Sequence, residues 1–340
     1  MISSPPHPHR SNKTGRTVSI VGTGSYVPER ILTNRELEKI VETSDEWIRT
    51  RTGILERRIA APDEATSDMA TKAALLAMSQ AEVEAEQIDL IIVATVTPDM
   101  FFPATACWVQ KKLGAVRAAC FDVSAACSGF LYAMEIAQQF ISNHVYNTVL
   151  IIGADKLSSI VDWSDRNTCV LFGDGAGAAI LRNRGESHGV IATHMGSDGE
   201  FSDILFMPGG GSRCPITPGN VDQKLNTIKM LGKETYKQAV TAMSDAADRA
   251  LEAAGLKYDD IACVIPHQAN MRIIEAIAHR MRLPIDKFYV NLEKYGNTSA
   301  AAVAIALDEA HRSGRFKIGD YILLVVFGGG LTWASSVIQW

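Results

Sequence analysis

The sequence predicts an α/β protein of five layers, helix–sheet–helix–sheet–helix, made by internal duplication of one unit. Three observations predict it. The 340-residue chain repeats itself loosely when shifted by 172 residues, as from Val93 to Ile265. In each copy an alanine-rich helical stretch runs into a short apolar strand. Each copy also holds one helix that begins without a charge on any side, so two helices must be buried all round between flanking sheets.

Taken in order, Ser67 to Ala81 reads as the first amphipathic helix, and Gln87-Ile88-Asp89 turns it into the strand Leu90 to Thr95. In the second copy Thr241 to Ala254 passes through Tyr258-Asp259-Asp260 into the strand Ile261 to Ile265. From Val93 it is 34 residues to Cys127, and from Ile265 it is 34 residues to Ser299. Each endpoint opens a charge-free helix, Ser128-Gly129-Phe130-Leu131-Tyr132-Ala133-Met134 in one copy and Thr298-Ser299-Ala300-Ala301-Ala302-Val303-Ala304-Ile305 in the other. Strands at Val149 to Ile152 and Ile322 to Val325 follow at matching distance. Tyr321 to Trp340 carries no charge, but Gly328-Gly329-Gly330 divides it into two halves rich in β-branched and aromatic residues. That pattern suits two buried strands joined by a glycine turn and argues against a membrane span. With crossovers alternating with this closing hairpin, both sheets should be mixed. The expected organisation is an N-terminal half over residues 17–182 and a C-terminal half over 183–340. Residues 1–16, with three prolines, three serines and no apolar run, read as a disordered arm and lack the apolar region of a secretory signal.

Composition narrows the function. With 33 basic against 38 acidic residues the formal net charge is −5, which argues against a general nucleic-acid binder. The six cysteines include no C-x-x-C pair and fit neither a zinc knuckle nor a disulfide scaffold, so a reducing, cytoplasmic compartment and no metal are expected. Gly22-Thr23-Gly24 meets Pro28 rather than a third glycine, and the loop from Pro208 to Pro215 lacks a Gly-Lys-Ser/Thr ending. Neither is read as a nucleotide site.

Three residues remain as candidates for chemistry. Cys127 lies where the extended run Ala119 to Val123 turns into a buried helix, and the free amides there should lower its pKa toward the thiolate. The alternative is a small buried hydrophobe. His267 follows the strand Ile261 to Ile265 at the sheet edge where ligands gather, or is simply structural. Asn297 in Tyr295-Gly296-Asn297-Thr298-Ser299 is otherwise a helix N-cap. The duplication puts the two buried helix starts opposite each other, so thiol, imidazole and amide can converge on one cavity.

The motifs Thr43-Ser44-Asp45-Glu46-Trp47-Ile48, Asp122-Val123-Ser124-Ala125-Ala126-Cys127-Ser128-Gly129-Phe130, Phe172-Gly173-Asp174-Gly175-Ala176-Gly177, Pro266-His267-Gln268-Ala269-Asn270, Gly296-Asn297-Thr298-Ser299 and Gly328-Gly329-Gly330-Leu331-Thr332-Trp333 stand in this order along the chain. In these the chain resembles the bacterial β-ketoacyl-acyl-carrier-protein synthase III family, within the thiolase-like superfamily, from Gly22 to the C-terminus. The resemblance implies a two-step decarboxylative Claisen condensation of a short acyl-CoA, acetyl-CoA being the expected starter, with malonyl-acyl carrier protein. It implies a catalytic set of Cys127, His267 and Asn297 and an oxyanion hole at the amides of Cys127 and Gly329. It further implies CoA contacts at Trp47, Arg51, Arg166 and Asn270, and an acyl pocket at Phe102, Leu157 and Phe172, with Phe102 crossing a homodimer interface. Gln268, Arg272, Lys237 and Lys233 would face the acidic carrier protein; without the resemblance the basic ones read as a solvated helix face. Acyl-CoA is a substrate here, so no cofactor is expected. The competing readings are a starter condensing enzyme of secondary metabolism and a non-catalytic CoA-binding scaffold.

Overall fold

The computed structural model describes residues 17–183, 185 and 188–340, so the arm expected over 1–16 lies outside the described residues. Its first large sheet holds β1 (Ser19–Tyr26), β2 (Leu90–Ala94), β3 (Ala119–Val123), β4 (Thr148–Lys156) and β5 (Asp174–Arg182), in the spatial order β1-β5-β4-β2-β3. The second holds β6 (Gly189–Ser197), β7 (Ile261–Pro266), β8 (Tyr321–Gly328) and β9 (Thr332–Gln339), in the order β6-β9-β8-β7. The two orders superpose strand for strand, with parallel pairs β2/β4 and β7/β8 in equivalent places. An isolated parallel bridge from Val264 to Phe288 stands where β3 stands in the first sheet. Both sheets are mixed, as the crossover pattern predicts, and the glycine turn joins β8 to β9 as a hairpin from Gly328↔Thr332 to Tyr321↔Gln339.

Helix α1 (Asp45–Thr52) lies outside this frame. Helices α2 (Thr66–Ala81) and α3 (Thr105–Leu113) cover the outer face of the first sheet, and α5 (Gly232–Ala254) with α6 (Met271–Met281) covers the outer face of the second. Between the sheets lie α4 (Gly129–Ser142) and α7 (Ala301–Arg312). One hydrophobic cluster joins Phe130, Leu131 and Met134 of α4 and Val303 and Leu307 of α7 to Ile92 and Ile151 of one sheet and Ile265 and Leu324 of the other. Each such side chain, fully buried, contributes about 1.5–3 kcal/mol relative to leaving it in water, so the shared middle layer holds the two halves together.

Helix α5 begins at Gly232, nine residues before the expected Thr241. Its first two turns, with Lys233, Glu234, Lys237 and Gln238, show the core only Thr235 and Ala239, too few apolar positions to register as a helical period. The duplication also carries a one-residue offset. Ala126 and Ser299 are the residues with left-handed backbone, at φ 46° and 53°, on the turns leading into α4 and α7. Cys127 therefore corresponds to Ala300, not to Ser299.

Glycine and alanine set the layer spacing. A Cβ on Gly22 would lie 2.4 Å from the Ala77 carbonyl oxygen, and one on Gly24 would lie 2.4 Å from that of Ala73. This is how the Gly22-Thr23-Gly24 run is used: α2 lies directly on β1. A Cβ on Gly177 would stand 2.5 Å from Ala304 Cβ, so that glycine brings α7 close to the sheet and does not face a substrate. Among the described residues no helix is long and apolar enough to cross a membrane.

Candidate active site

Cys127 sits in a short 3₁₀ turn, Ala126–Ser128, that leads directly into α4. The β8–β9 turn is packed against it. A Cβ on Gly328 would be 2.7 Å from the Cys127 amide nitrogen, and Thr332 Oγ1 donates to the Ala125 carbonyl at 2.9 Å. Asn297 is fixed on both sides of its backbone, its amide donating to Leu171 at 2.8 Å and its carbonyl accepting from Gly173 at 3.0 Å. It is not a helix N-cap, since α7 starts at Ala301 behind Ala300. Its side-chain Oδ1 accepts from the Ser299 amide at 2.8 Å, which orients Nδ2 as the donor end. His267 follows β7, and its amide donates to Val325 at 2.8 Å, extending the ladder with β8.

These three side chains line one cavity of about 660 Å³, which also takes in Trp47, Arg51 and Asn270. A second cavity of about 390 Å³, lined by Val96, Leu157, Ile160, Met207 and Ile228, meets it. Cys127, Phe172 and Leu205 line both, so the thiol stands at the junction. One arm is polar at its far end and the other is apolar, an arrangement for a long ligand whose reacting atom lies in the middle.

The electrostatics correct one expectation. The helix start does not give a resting thiolate: burial pushes the Cys127 thiol up to about 12, and the nearby Asp155 carboxylate adds to the rise. Hydrogen bonds from Ser299, Asn297 and the Cys127 amide oppose it without prevailing. Desolvation of the anion outweighs the partial charge of one helix turn. His267 moves the other way, lowered to about 4 by burial, and its Nδ1 has no partner among the described residues. It is a neutral imidazole near pH 7. Because an orphaned lone pair is less costly than an orphaned N–H, the proton belongs on Nε2.

The same burial links stability to pH. The folded state disfavours the imidazolium, so the neutral ring's contribution is full above the ordinary pKa of 6.5 and is lost as pH falls from 6.5 toward 4. A His267→Gln variant should therefore lose about 3 kcal/mol less unfolding free energy than the parent over that interval, read by urea denaturation at several pH values. Parallel losses would show that His267 is not buried as the neutral form.

The remaining expected residues divide. Leu157 and Phe172, expected at an acyl pocket, line the smaller cavity. Phe102, expected to close the pocket of a partner copy, is 84% exposed, beside Phe101 at 85%, and touches neither cavity of its own chain. Trp47 lies under two guanidinium groups, Arg51 at 4.9 Å and Arg166 at 5.2 Å from its ring centre. The face expected to take adenine is already covered by Arg166, so a purine there has to displace or lift it. Asn270 lines the larger cavity, but its side chain is engaged, Oδ1 capping α6 at the Arg272 amide and Nδ2 donating to the Arg51 carbonyl. Arg272 and Lys233 line the cavity from α6 and α5, and Lys237 is exposed one turn further along α5. Gln268 is a correction. It is 1% exposed, its Nε2 donates to Pro266 and Tyr289 carbonyls and its Oε1 accepts from the Asn291 amide, so it braces the loop beneath the surface and cannot meet a protein partner.

Three contributors escape sequence reasoning. Arg57, fully buried, donates to the Leu32 and Val170 carbonyls and to Asn34 Oδ1, and so steadies the segment that carries Phe172. Asp155 and Ser299 underlie the Cys127 turn. The available signal was a charge at the end of an otherwise apolar strand, Ile151-Ile152-Gly153-Ala154-Asp155. Among the described residues no group of three or more His, Cys, Asp or Glu side chains is placed to hold a metal ion.

Comparison with known proteins places this geometry. The family description "3-oxoacyl-[acyl-carrier-protein (ACP)] synthase III" matches residues 121–199, and its C-terminal counterpart matches residues 251–340. The beta-ketoacyl-[acyl-carrier-protein] synthase III of Caldanaerobacter subterraneus subsp. tengcongensis is 59% identical over 321 residues, covering 94% of this chain and 97% of that one. The crystal structure of 3-oxoacyl-[acyl-carrier-protein] synthase III from Aquifex aeolicus superposes with a TM-score of 0.89 at 48% identity, covering 95% of this chain and all of the other. The priming beta-ketosynthase of the R1128 polyketide biosynthetic pathway superposes with a TM-score of 0.88 at 36% identity, covering 96% and 97%.

Proposed function

Because this chain belongs to the 3-oxoacyl-[acyl-carrier-protein] synthase III family, a thiolase-fold condensing acyltransferase of fatty-acid biosynthesis, we propose how its residues divide that reaction. Cys127 is the nucleophile toward an acyl-CoA, and acetyl-CoA is the starter. The observation that carries this is its place at the junction of a polar-ended cavity and an apolar one, which suits pantetheine on one side and an acyl group on the other. The sulfur attacks the thioester carbonyl while the amides of Cys127 and Gly329 receive the oxyanion. The thiol proton leaves with CoA as its free thiol, so the first half-reaction needs no net proton change.

Malonyl-acyl carrier protein then occupies the larger cavity. Loss of carbon dioxide leaves an enolate, and His267 Nε2–H and Asn297 Nδ2–H donate to its oxygen. The neutral imidazole and the tethered amide support this reading, since neither has to titrate. Decarboxylation releases the electron pair without a general base. The enolate carbon attacks the acyl-cysteine, the carbon–sulfur bond breaks, and 3-oxoacyl-carrier protein departs as the Cys127 thiolate takes from solvent the one proton that the step consumes.

The carrier protein meets Arg272, Lys233 and Lys237. Steering by exposed charges is screened within about 10 Å at 0.1 M salt. An Arg272→Glu variant should raise the KM for malonyl-carrier protein roughly tenfold at low salt, with a smaller effect as salt rises and a smaller change in the KM for acetyl-CoA. A carrier-protein KM indifferent to both salt and the substitution would defeat this assignment. The edge strand β3 and the exposed Phe101 and Phe102 support a homodimer in which Phe102 closes the partner's apolar cavity. A starter condensing enzyme of secondary metabolism is the second reading, favoured by the similarity to the priming synthase. A cytoplasmic site of action fits the free cysteines of either.

A further inference from the structure

His267 and Asn297 come from separate elements, yet one hydrogen-bond network joins the segments that carry them. Gln268, the residue after His267, reaches the chain at 289–291: its Nε2 donates to the Tyr289 carbonyl at 3.0 Å and its Oε1 accepts from the Asn291 amide at 3.0 Å. Glu309, half-buried two turns into α7, holds the same stretch by its side chains. Its Oε2 accepts from Asn291 Nδ2 at 2.8 Å and from the Tyr289 hydroxyl at 3.4 Å, and its Oε1 accepts from the Tyr295 hydroxyl. Burial and the adjacent Glu309 both raise the two phenols, Tyr289 to about 12, so each stays an O–H donor at neutral pH. Tyr295 closes the short helical turn Leu292–Tyr295, two residues before Asn297. Only Gly296 lies between, and a Cβ there would stand 2.7 Å from the Leu171 carbonyl oxygen, so the backbone has no slack at that point.

Glu309 lines neither cavity of the site, so it does not meet substrate. A glutamate on a helix face is ordinarily left to water, whereas this one collects three donors from the single stretch that leads to Asn297. We infer that Glu309 is a positioning residue for the condensation step: by anchoring Asn291 and Tyr295 it fixes the segment that delivers Asn297, and through Gln268 that segment is registered against His267. The two donors to the enolate oxygen are thereby kept at one spacing. This rests on the division of roles proposed above. Displacement of a reacting group by about 1 Å through a remote substitution can cost on the order of 10²-fold in rate. Acyl transfer relies instead on the amides of Cys127 and Gly329, which none of these bonds reach.

The test measures the two half-reactions separately. Glu309→Ala should lower kcat for condensation by roughly tenfold to a hundredfold, with the KM for malonyl-carrier protein and the rate of acetyl transfer to Cys127 each within about threefold of the parent. Glu309→Gln should keep condensation within about threefold, because the amide oxygen still accepts one donor and its nitrogen can donate to the Tyr295 oxygen. Asn291→Asp sets two carboxylates against each other and should lose condensation by at least about tenfold. Adding Glu309→Gln to it restores a donor–acceptor pair with the roles exchanged and should recover most of that loss, which decides the matter even where Glu309→Ala fails to fold. Parent-like condensation in folded Glu309→Ala, equal loss of acylation and condensation, or no recovery in the double variant would overturn the inference. His267→Ala and Asn297→Ala separate it from the reading beneath it. Selective loss of condensation in those two beside a parent-like Glu309→Ala overturns the inference alone, and equal loss of acylation in those two overturns the division of roles as well.

Discussion

Alanine at His267 or Asn297 is expected to slow formation of the 3-oxoacyl product by roughly 10²–10³-fold, while acyl transfer from acetyl-CoA to Cys127 stays within about tenfold of the parent. The two donors meet charge only after carbon dioxide has left. Each is preorganised, Asn297 by the Ser299 amide and His267 by its backbone bond to Val325, so neither has to reorient as the enolate forms. In a buried cavity a donor aimed at developing charge is worth about 3 kcal/mol, which is the origin of the factor. The first half-reaction uses backbone amides instead and should survive. Because both side chains serve one oxygen, the double variant should lose less than the product of the two single losses. Rapid-quench measurement of the two half-reactions checks this, and equal loss of acylation in both variants would remove the assigned roles.

The second large effect concerns packing. A methyl group on Gly153 would lie 2.3 Å from the Ala300 carbonyl oxygen and 3.1 Å from the Ala301 amide. Those atoms cannot retreat, because Ala300 is tied to Asp155 and α7 is buried against both sheets. Gly153→Ala should cost at least about 3 kcal/mol and displace the turn that carries Asn297 and Ser299. Gly199→Ala, with nothing within 4 Å of its Cβ position, should stay within about 0.5 kcal/mol. Thermal unfolding separates the two; a mild effect at Gly153 would mean that the middle layer is looser than its contacts imply.

What the sequence made legible follows from which forces act locally. Apolar periodicity and the 172-residue repeat reveal the layers because burial patterns recur along the chain, and they bring Cys127, His267 and Asn297 to one cavity. The repeat could not reveal its own one-residue offset, which depends on the left-handed turns at Ala126 and Ser299. Nor could it give the acidity of Cys127. A helix start is visible in sequence, but the desolvation and the Asp155 carboxylate that outweigh it come from strands remote in sequence. Gln268 failed for a related reason: a polar side chain next to a functional histidine looks like surface until its three backbone partners are in place. Phe102 reads as a pocket residue only through a second copy of the chain, which one sequence does not supply.

The claim on which the rest depends is that Cys127 carries the acyl group between two substrates. Incubating the protein with acetyl-CoA and digesting it for mass spectrometry tests it most directly. One acetyl group is expected on the Cys127 peptide, absent in Cys127→Ser, with its discharge as acetoacetyl-carrier protein only when malonyl-carrier protein is added. An unmodified Cys127, or an acetyl group on another cysteine that is discharged in the same way, would contradict it.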